Sequence, residues 1–205
     1  MPAPPPALAA RVESTVVLAQ AEATTRPCGT TKTFFAGTAI ADRDNWYGAH
    51  LSALGERIFC QKSEPGPAVY RLTWLPSFDH SIVVRIEQRA KGYRLEAKAE
   101  SGAGGYEPGH LARDTVRSLS AAERDAFEHL LQESNFWHLP TVPPPNGRMG
   151  LDGAQWVLEG IADGRYHVVD RWSPEQDGPD TKYRQLAEWM LAESRLVPAK
   201  LVRDY

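Results

Sequence analysis

The dipeptide Asp163-Gly164 constrains this chain more than any other feature. It separates two β-rich runs, 154–161 and 165–172, and both residues tolerate the positive φ of a type I′ turn, so the segment reads as a β-hairpin. A two-residue turn fixes the register. Ile161 then opposes Tyr166, Glu159 opposes Val168, Val157 opposes Asp170 and Gln155 opposes Trp172. Side chains alternate with a period of two, so these residues share one face. Leu158 with Val169, Trp156 with Arg171 and Gly160 with His167 share the other. This register points His167 away from Glu159 and Asp170, which disfavours a His–carboxylate dyad within the hairpin. It also lays the Arg171 guanidinium against the Trp156 indole, worth about 0.5–1 kcal/mol if exposed. A slip of one residue would reverse every assignment.

Three further strands are read upstream. In 69–75, Tyr70, Leu72 and Trp74 alternate with Arg71 and Thr73; in 81–89, Ile82, Val84 and Ile86 alternate with Val83, Arg85 and Glu87. In 93–100, Tyr93, Leu95, Ala97 and Ala99 alternate with Arg94, Glu96, Lys98 and Glu100. That last pattern, apolar on one face and charged on the other, predicts an antiparallel sheet whose outer face meets water. Three helices complete the pattern. From Asp44, the residues Trp46, Tyr47, Leu51 and Leu54 recur near helical spacing, and Gly55 is a natural stop. Ser120-Ala-Ala-Glu123 is a capping box opening a helix that ends near Asn135. Asp180 stands as N-cap of a last helix carrying Tyr183, Leu186, Ala187, Met190 and Leu191 on one face. The sum is an α+β fold, an antiparallel sheet of about five strands with two helices packed on one face and a further N-terminal helix. Its expected organisation is a disordered or loosely docked leader (1–41, in which Phe34 and Phe35 can dock onto the body), a single domain (42–198) and a C-terminal tail (199–205).

Composition narrows the classes of function. The chain has 205 residues, enough for one ordinary core, and 26 acids against 23 bases leave no basic footprint for nucleic acid. No apolar run approaches the roughly 18 residues of a membrane span, so a protein integral to the membrane is not expected. Cys28 and Cys60 are the two cysteines; they are either free thiols in a reducing compartment or a single bridge in an oxidising one. Compartment stays open in the same way. Residues 1–10 are rich in Pro and Ala and Ala19-Gln20-Ala21 looks like a cleavage site, but Arg11 and Glu13 interrupt the apolar stretch a secretory signal needs. Read literally the chain is cytoplasmic; read with a truncated or mis-chosen start it is periplasmic or exported.

The familiar chemical motifs are missing. Gly102-Ala-Gly-Gly-Tyr-Glu-Pro-Gly109 has Glu107 where a dinucleotide loop needs glycine and no following Lys-Ser/Thr, so a structural turn is expected rather than a phosphate cradle. The six histidines show no metal-type spacing with one another or with either cysteine, and no metal or cofactor is expected. No Gly-x-Ser-x-Gly elbow occurs. Asp79-His80 reads as a turn cap beside a solvated imidazole, and Trp46, Trp137, Trp156, Trp172 and Trp189 read as packing residues.

Four blocks carry a resemblance. Trp46-Tyr-Gly-Ala-His-Leu-Ser-Ala-Leu-Gly-Glu56, Tyr70-Arg-Leu-Thr-Trp-Leu-Pro-Ser-Phe-Asp-His80, Gly104-Gly-Tyr-Glu-Pro-Gly109 and Leu151-Asp-Gly-Ala-Gln-Trp-Val-Leu-Glu-Gly160, the last continuing to Trp172-Ser-Pro-Glu175, resemble successive blocks of a family of uncharacterised bacterial proteins. The resemblance spans roughly 46–192 and implies no activity; members with these blocks often begin with an export signal. Two expectations follow. One is a non-catalytic binding or interaction module for a protein or small-molecule partner, its contact surface drawn from His80, Tyr106, Gln155, Glu159, Tyr166, His167, Asp170, Arg171 and Trp172. The other is a hydrolase of unfamiliar type, assembled across loops from Asp79, His80, Glu159 or His167.

Overall fold

The computed structural model describes residues 33–60, 66–143 and 152–205. It is an α+β fold on a six-stranded antiparallel sheet: β1 (Val69–Pro76), β2 (Ile82–Arg89), β3 (Gly92–Glu100), β4 (Leu111–Ser118), β5 (Ala154–Ala162) and β6 (Arg165–Trp172), in the order β4-β3-β2-β1-β5-β6. Among the described residues the α-helices are α1 (Asp44–Ala53), α2 (Ala121–Glu133), α3 (Thr181–Ser194) and α4 (Ala199–Asp204). Five strands are therefore corrected to six. The added strand, β4, pairs with β3 along the sheet edge, and its side chains are almost all exposed. With neither face buried, it has no apolar alternation to betray it, and its charged residues suit an edge that must not recruit other strands.

The C-terminal hairpin has the register set by its turn. Gln155 opposes Trp172, Trp156 opposes Arg171, Leu158 opposes Val169 and Gly160 opposes His167. Asp163 and Gly164 take φ of 50° and 73°, the pair of left-handed conformations that a type I′ turn requires. The expected stacking of Arg171 on Trp156 is corrected. Arg184 of α3 lies over Trp156 at 5.3 Å, and Arg171 lies over Tyr183 at 5.8 Å. A helix packed on this face supplies the nearer partners.

Both faces of the sheet are covered over its central strands. On one, Tyr70, Leu72, Trp74, Val84, Ile86, Leu95, Trp156, Leu158 and Val169 pack with Phe127 of α2, with Tyr183, Leu186, Met190 and Leu191 of α3 and with Val202 of α4. Full burial of each such side chain is worth about 1.5–3 kcal/mol. The capping box of α2 forms with both of its bonds, Ser120 Oγ accepting from the Glu123 amide and Glu123 accepting from the Ser120 amide. Asn135, in the left-handed conformation just past the end of α2, stops that helix. Asp180 is the N-cap of α3 by position, but its carboxylate accepts from Arg171 Nε at 2.8 Å instead of capping.

On the other face, α1 and residues 33–43 lie across the strands. Phe34, Phe35, Ile40, Tyr47, Leu51 and Leu54 pack against Val69, Leu75, Val83, Val157, Tyr166 and Val168. The Phe35 amide donates to the Asp44 carboxylate, and the Phe35 ring meets Tyr47 edge-on. Residues 1–32 of the expected leader lie outside the described residues. The segment 199–205, expected as a tail, holds α4. Among the described residues no helix is long and apolar enough to cross a membrane.

The expectation that the charged face of β3 meets water holds at Arg94, whose side chain is 40% exposed, and is corrected at the Lys98 and Glu100 end. Lys98 is 7% exposed and Glu100 is fully buried. Helix α1 accounts for this by supplying a polar partner above each of them. Lys98 Nζ donates to the carbonyl of Leu54 at 2.9 Å, where a cation also suits the helix C-terminus. His50 Nδ1 lies 2.7 Å from Glu100 Oε2.

Candidate functional site: an aromatic cleft beside a buried ionic face

Most of the polar residues of the hairpin are inside the protein. Glu159 is fully buried; its Oε2 accepts from Arg71 Nε (2.9 Å) and Nη2 (2.5 Å), and its Oε1 accepts from the Tyr166 hydroxyl (2.9 Å). Arg71, also fully buried, continues to the Arg57 carbonyl and to Glu56, and its guanidinium lies 4.3 Å from the Phe59 ring centre. Glu56 in turn holds Arg85 at 2.5 Å and Lys98 at 3.0 Å, and both of these reach Glu96. Asp170 takes Gln155 Nε2 at 2.5 Å, the Tyr47 hydroxyl at 3.2 Å and Arg43.

Two carboxyls of this face shift in opposite directions. Burial alone pushes Glu56 up, but Arg71, Arg85 and Lys98 together outweigh it and hold the group below its ordinary value. At Asp170 burial wins over Gln155, Arg43 and Tyr47, and the carboxyl is pushed up. Burial likewise pushes Tyr47 up, with Asp170 adding to the shift.

The remaining nominated residues are dispersed. His167 is on the opposite face from Glu159, against the Phe136 ring, with Nε2 2.9 Å from the Leu139 carbonyl; burial lowers its pKa. Arg171 is buried and donates to the carbonyls of Pro140, Thr141 and Asp170. His80 Nδ1 lies 2.8 Å from the Gly102 carbonyl, while the neighbouring Asp79 accepts from the Tyr205 hydroxyl at 2.8 Å. Asp79, His80, Glu159 and His167 are thus each engaged with different partners. A His–carboxylate pair does exist, at His50 and Glu100, with Ser81 Oγ 3.2 Å from the same His50 nitrogen. All three residues are fully buried, so the cluster pins α1 to the sheet rather than facing a substrate. His50 was findable: it falls on the Tyr47, Leu51, Leu54 stripe of α1, at i+3 from Tyr47.

Tyr106 and Trp172 do come together. With Trp46 and Phe78 they line a cleft of about 220 Å³ at the end of the sheet, on the α1 side, where Leu75, Ser77, Gly105 and Asp152 complete the wall. Phe78 is 60% and Tyr106 66% exposed, with ring centres 6.5 Å apart. Trp46 is held by its indole N–H, which donates to the Gly104 carbonyl at 2.8 Å. Gly104 is needed there for close approach. A Cβ on it would sit 2.6 Å from Leu75 Cα, so only glycine lets the loop lie against β1. The Gly-rich loop is therefore a packed turn that delivers Tyr106 to the cleft. Trp46 and Phe78 are hidden from sequence reasoning: Trp46 falls on the packing stripe of α1, and Phe78 sits in a turn. A large aromatic between Pro76 and Asp79, on no strand face, was the available signal.

Among the described residues, no group of three or more His, Cys, Asp or Glu side chains could hold a metal ion. Cys60 is disulfide-bonded, and Cys28 lies outside the described residues. Comparison of the chain with protein-family models, with curated proteins and with solved structures finds no match.

Proposed function

We propose that the protein is a non-catalytic binding module whose contact surface is the aromatic cleft. The observation that carries this reading is the exposed pair Phe78 and Tyr106 over a cleft walled by Trp46 and Trp172. Large exposed aromatics clustered around a concavity mark interaction sites more often than they mark packing. The residues that the hydrolase alternative would use have their hydrogen-bonding groups directed to separate partners, and none of the described residues of the cleft supplies a base oriented by a carboxylate. The family resemblance adds no activity to this reading. A Tyr106→Ala, Phe78→Ala double variant tests it. Stability should change by no more than about 0.5 kcal/mol, as at other exposed positions, while compounds found to bind the native protein in an NMR fragment screen should lose affinity. Undiminished binding in the double variant would place the function elsewhere.

The disulfide at Cys60 supports a reading of the compartment. With Cys28 as the one other cysteine of the sequence, we propose an intramolecular Cys28–Cys60 bridge and hence an oxidising, extracytoplasmic home. Non-reducing peptide mapping should recover the two cysteines in one linked peptide pair; two free thiols would reverse the assignment.

A further inference from the structure

We infer that the cleft takes a small organic cation, a quaternary or alkylated ammonium group held over the aromatic faces beside Asp152. This rests on the binding reading above and names its ligand class. Aromatic rings carry negative charge on their faces and attract a cation within about 6 Å of the ring centre, alkylammonium groups being the common functional case. Phe78 and Tyr106, at 6.5 Å between centres, allow one cation to lie within reach of both. Charge points the same way. Among the described residues the cleft is lined by one carboxylate, Asp152, which is exposed, and by no Lys, Arg or His. On the same face Arg43 is committed to Asp170. An anionic ligand would meet the ring faces and Asp152 with no positive group among the described lining residues to offset them.

Size and polarity narrow the class further. About 220 Å³ is below the roughly 300–1,000 Å³ of pockets that enclose a drug-sized ligand, so a headgroup or a single side chain fits better than a whole cofactor. A hydroxyl-rich sugar would need several free hydrogen-bonding side chains. The Ser77 hydroxyl already donates to the Gly153 carbonyl and accepts from the Gly153 amide, and the Trp46 N–H is used on Gly104. Beside the Tyr106 hydroxyl and the Trp172 indole N–H, the wall offers ring faces and one carboxylate.

The test is titration of the full chain with choline and with tetramethylammonium, each against the neutral carbon isostere of choline, followed by tryptophan fluorescence and by NMR shifts of the cleft residues. Saturable binding of both cations, with the isostere failing to bind, is expected. Tyr106→Ala and Asp152→Asn, both at exposed positions, should each weaken it by about fivefold or more, and Tyr106→Phe, which keeps the ring face, should retain it. A peptide bearing trimethyl-lysine separates the sources: tighter binding than tetramethylammonium indicates a protein-borne cation, equal binding a free headgroup. If the isostere or a sugar binds as well as choline, or Asp152→Asn has no effect, the cation inference is overturned while the binding reading stands. If no compound of a chemically diverse panel perturbs Trp46, Phe78, Tyr106 or Trp172, both are overturned.

Discussion

On the face covered by α2 and α3, the central strands bury Leu72, Trp74, Trp156 and Leu158 among apolar side chains; on the face covered by α1, the alternate residues of the same and neighbouring strands bury Arg71, Lys98, Glu100, Glu159 and Asp170. The two faces are sealed alike and stabilised differently. Apolar burial grows with area and needs no particular partner. On the ionic face the cost of removing charges from water roughly cancels their attraction, so little net stability is gained while loss of one partner is expensive. What the ionic face supplies is placement. Tyr47 to Asp170, His50 to Glu100 and the Leu54 carbonyl to Lys98 fix α1 at three points across the sheet. Trp46, one residue before Tyr47, is thereby held at the cleft. The face that looks least like a core thus sets the geometry of the site.

The largest effect is expected where the faces meet in one strand. Arg71→Ala strands Glu159 and deprives Glu56 of a cation, at a cost of about 3–5 kcal/mol. Leu72→Ala, its neighbour on the apolar face, should cost about 2–5 kcal/mol through lost packing and cavity formation. Urea denaturation separates the two kinds of loss. The double variant Arg71→Met, Glu159→Leu should regain much of the ionic loss because no charge is left alone, and failure to regain it would break the contrast.

The two shifted carboxyls give a pH test of intermediate size. Glu56 is lowered in the folded protein, so its contribution is present above the ordinary 4.5 and is lost as pH falls through its folded value. Asp170 is raised, so the stability linked to it is full below 3.8 and declines as pH rises through its folded value. Glu56→Gln should therefore cost about 1.5–3 kcal/mol near neutrality, as for hydrogen bonds to charged groups, and flatten the acid limb of a stability–pH curve. Asp170→Asn should lose less at neutral pH than at pH 3. Identical pH profiles for the two variants would contradict the opposite shifts.

Gly104→Ala should cost about 1–3 kcal/mol by overpacking and shift Trp46 fluorescence, because the loop must leave β1. Smallest is Ser120→Ala, about 1 kcal/mol for a lost cap. It should leave cleft binding unchanged, since α2 lies on the other face.

How far this was legible in the sequence depended on the range of the interaction. The hairpin register followed from two turn residues, the start of α2 from a local capping box, and the apolar stripes of α1 and α3 from their period. β4 was not legible, because an edge strand with both faces in water carries no burial pattern. Nor was the burial of β3's charges. Alternation identifies a charged face, but the partners that bury it, His50 and Leu54, stand far away in sequence and belong to a helix whose own stripe looked self-sufficient. The cleft was half legible. Tyr106 stands in the Gly-rich loop and Trp172 in the aromatic C-terminal hairpin, both visible in the sequence, whereas Trp46 and Phe78 join them through contacts between four separate segments.

Lysine labelling followed by mass spectrometry tests the burial of the ionic face most directly. Lys98 is 7% exposed and is bonded to Glu56 and Leu54, while the Lys182 side chain is 54% exposed. In native protein an amine-reactive reagent should modify Lys182 readily and leave Lys98 untouched until the chain is unfolded. Labelling of Lys98 at the rate of Lys182 would mean that the charged face of β3 meets water, and the two-faced account would fail.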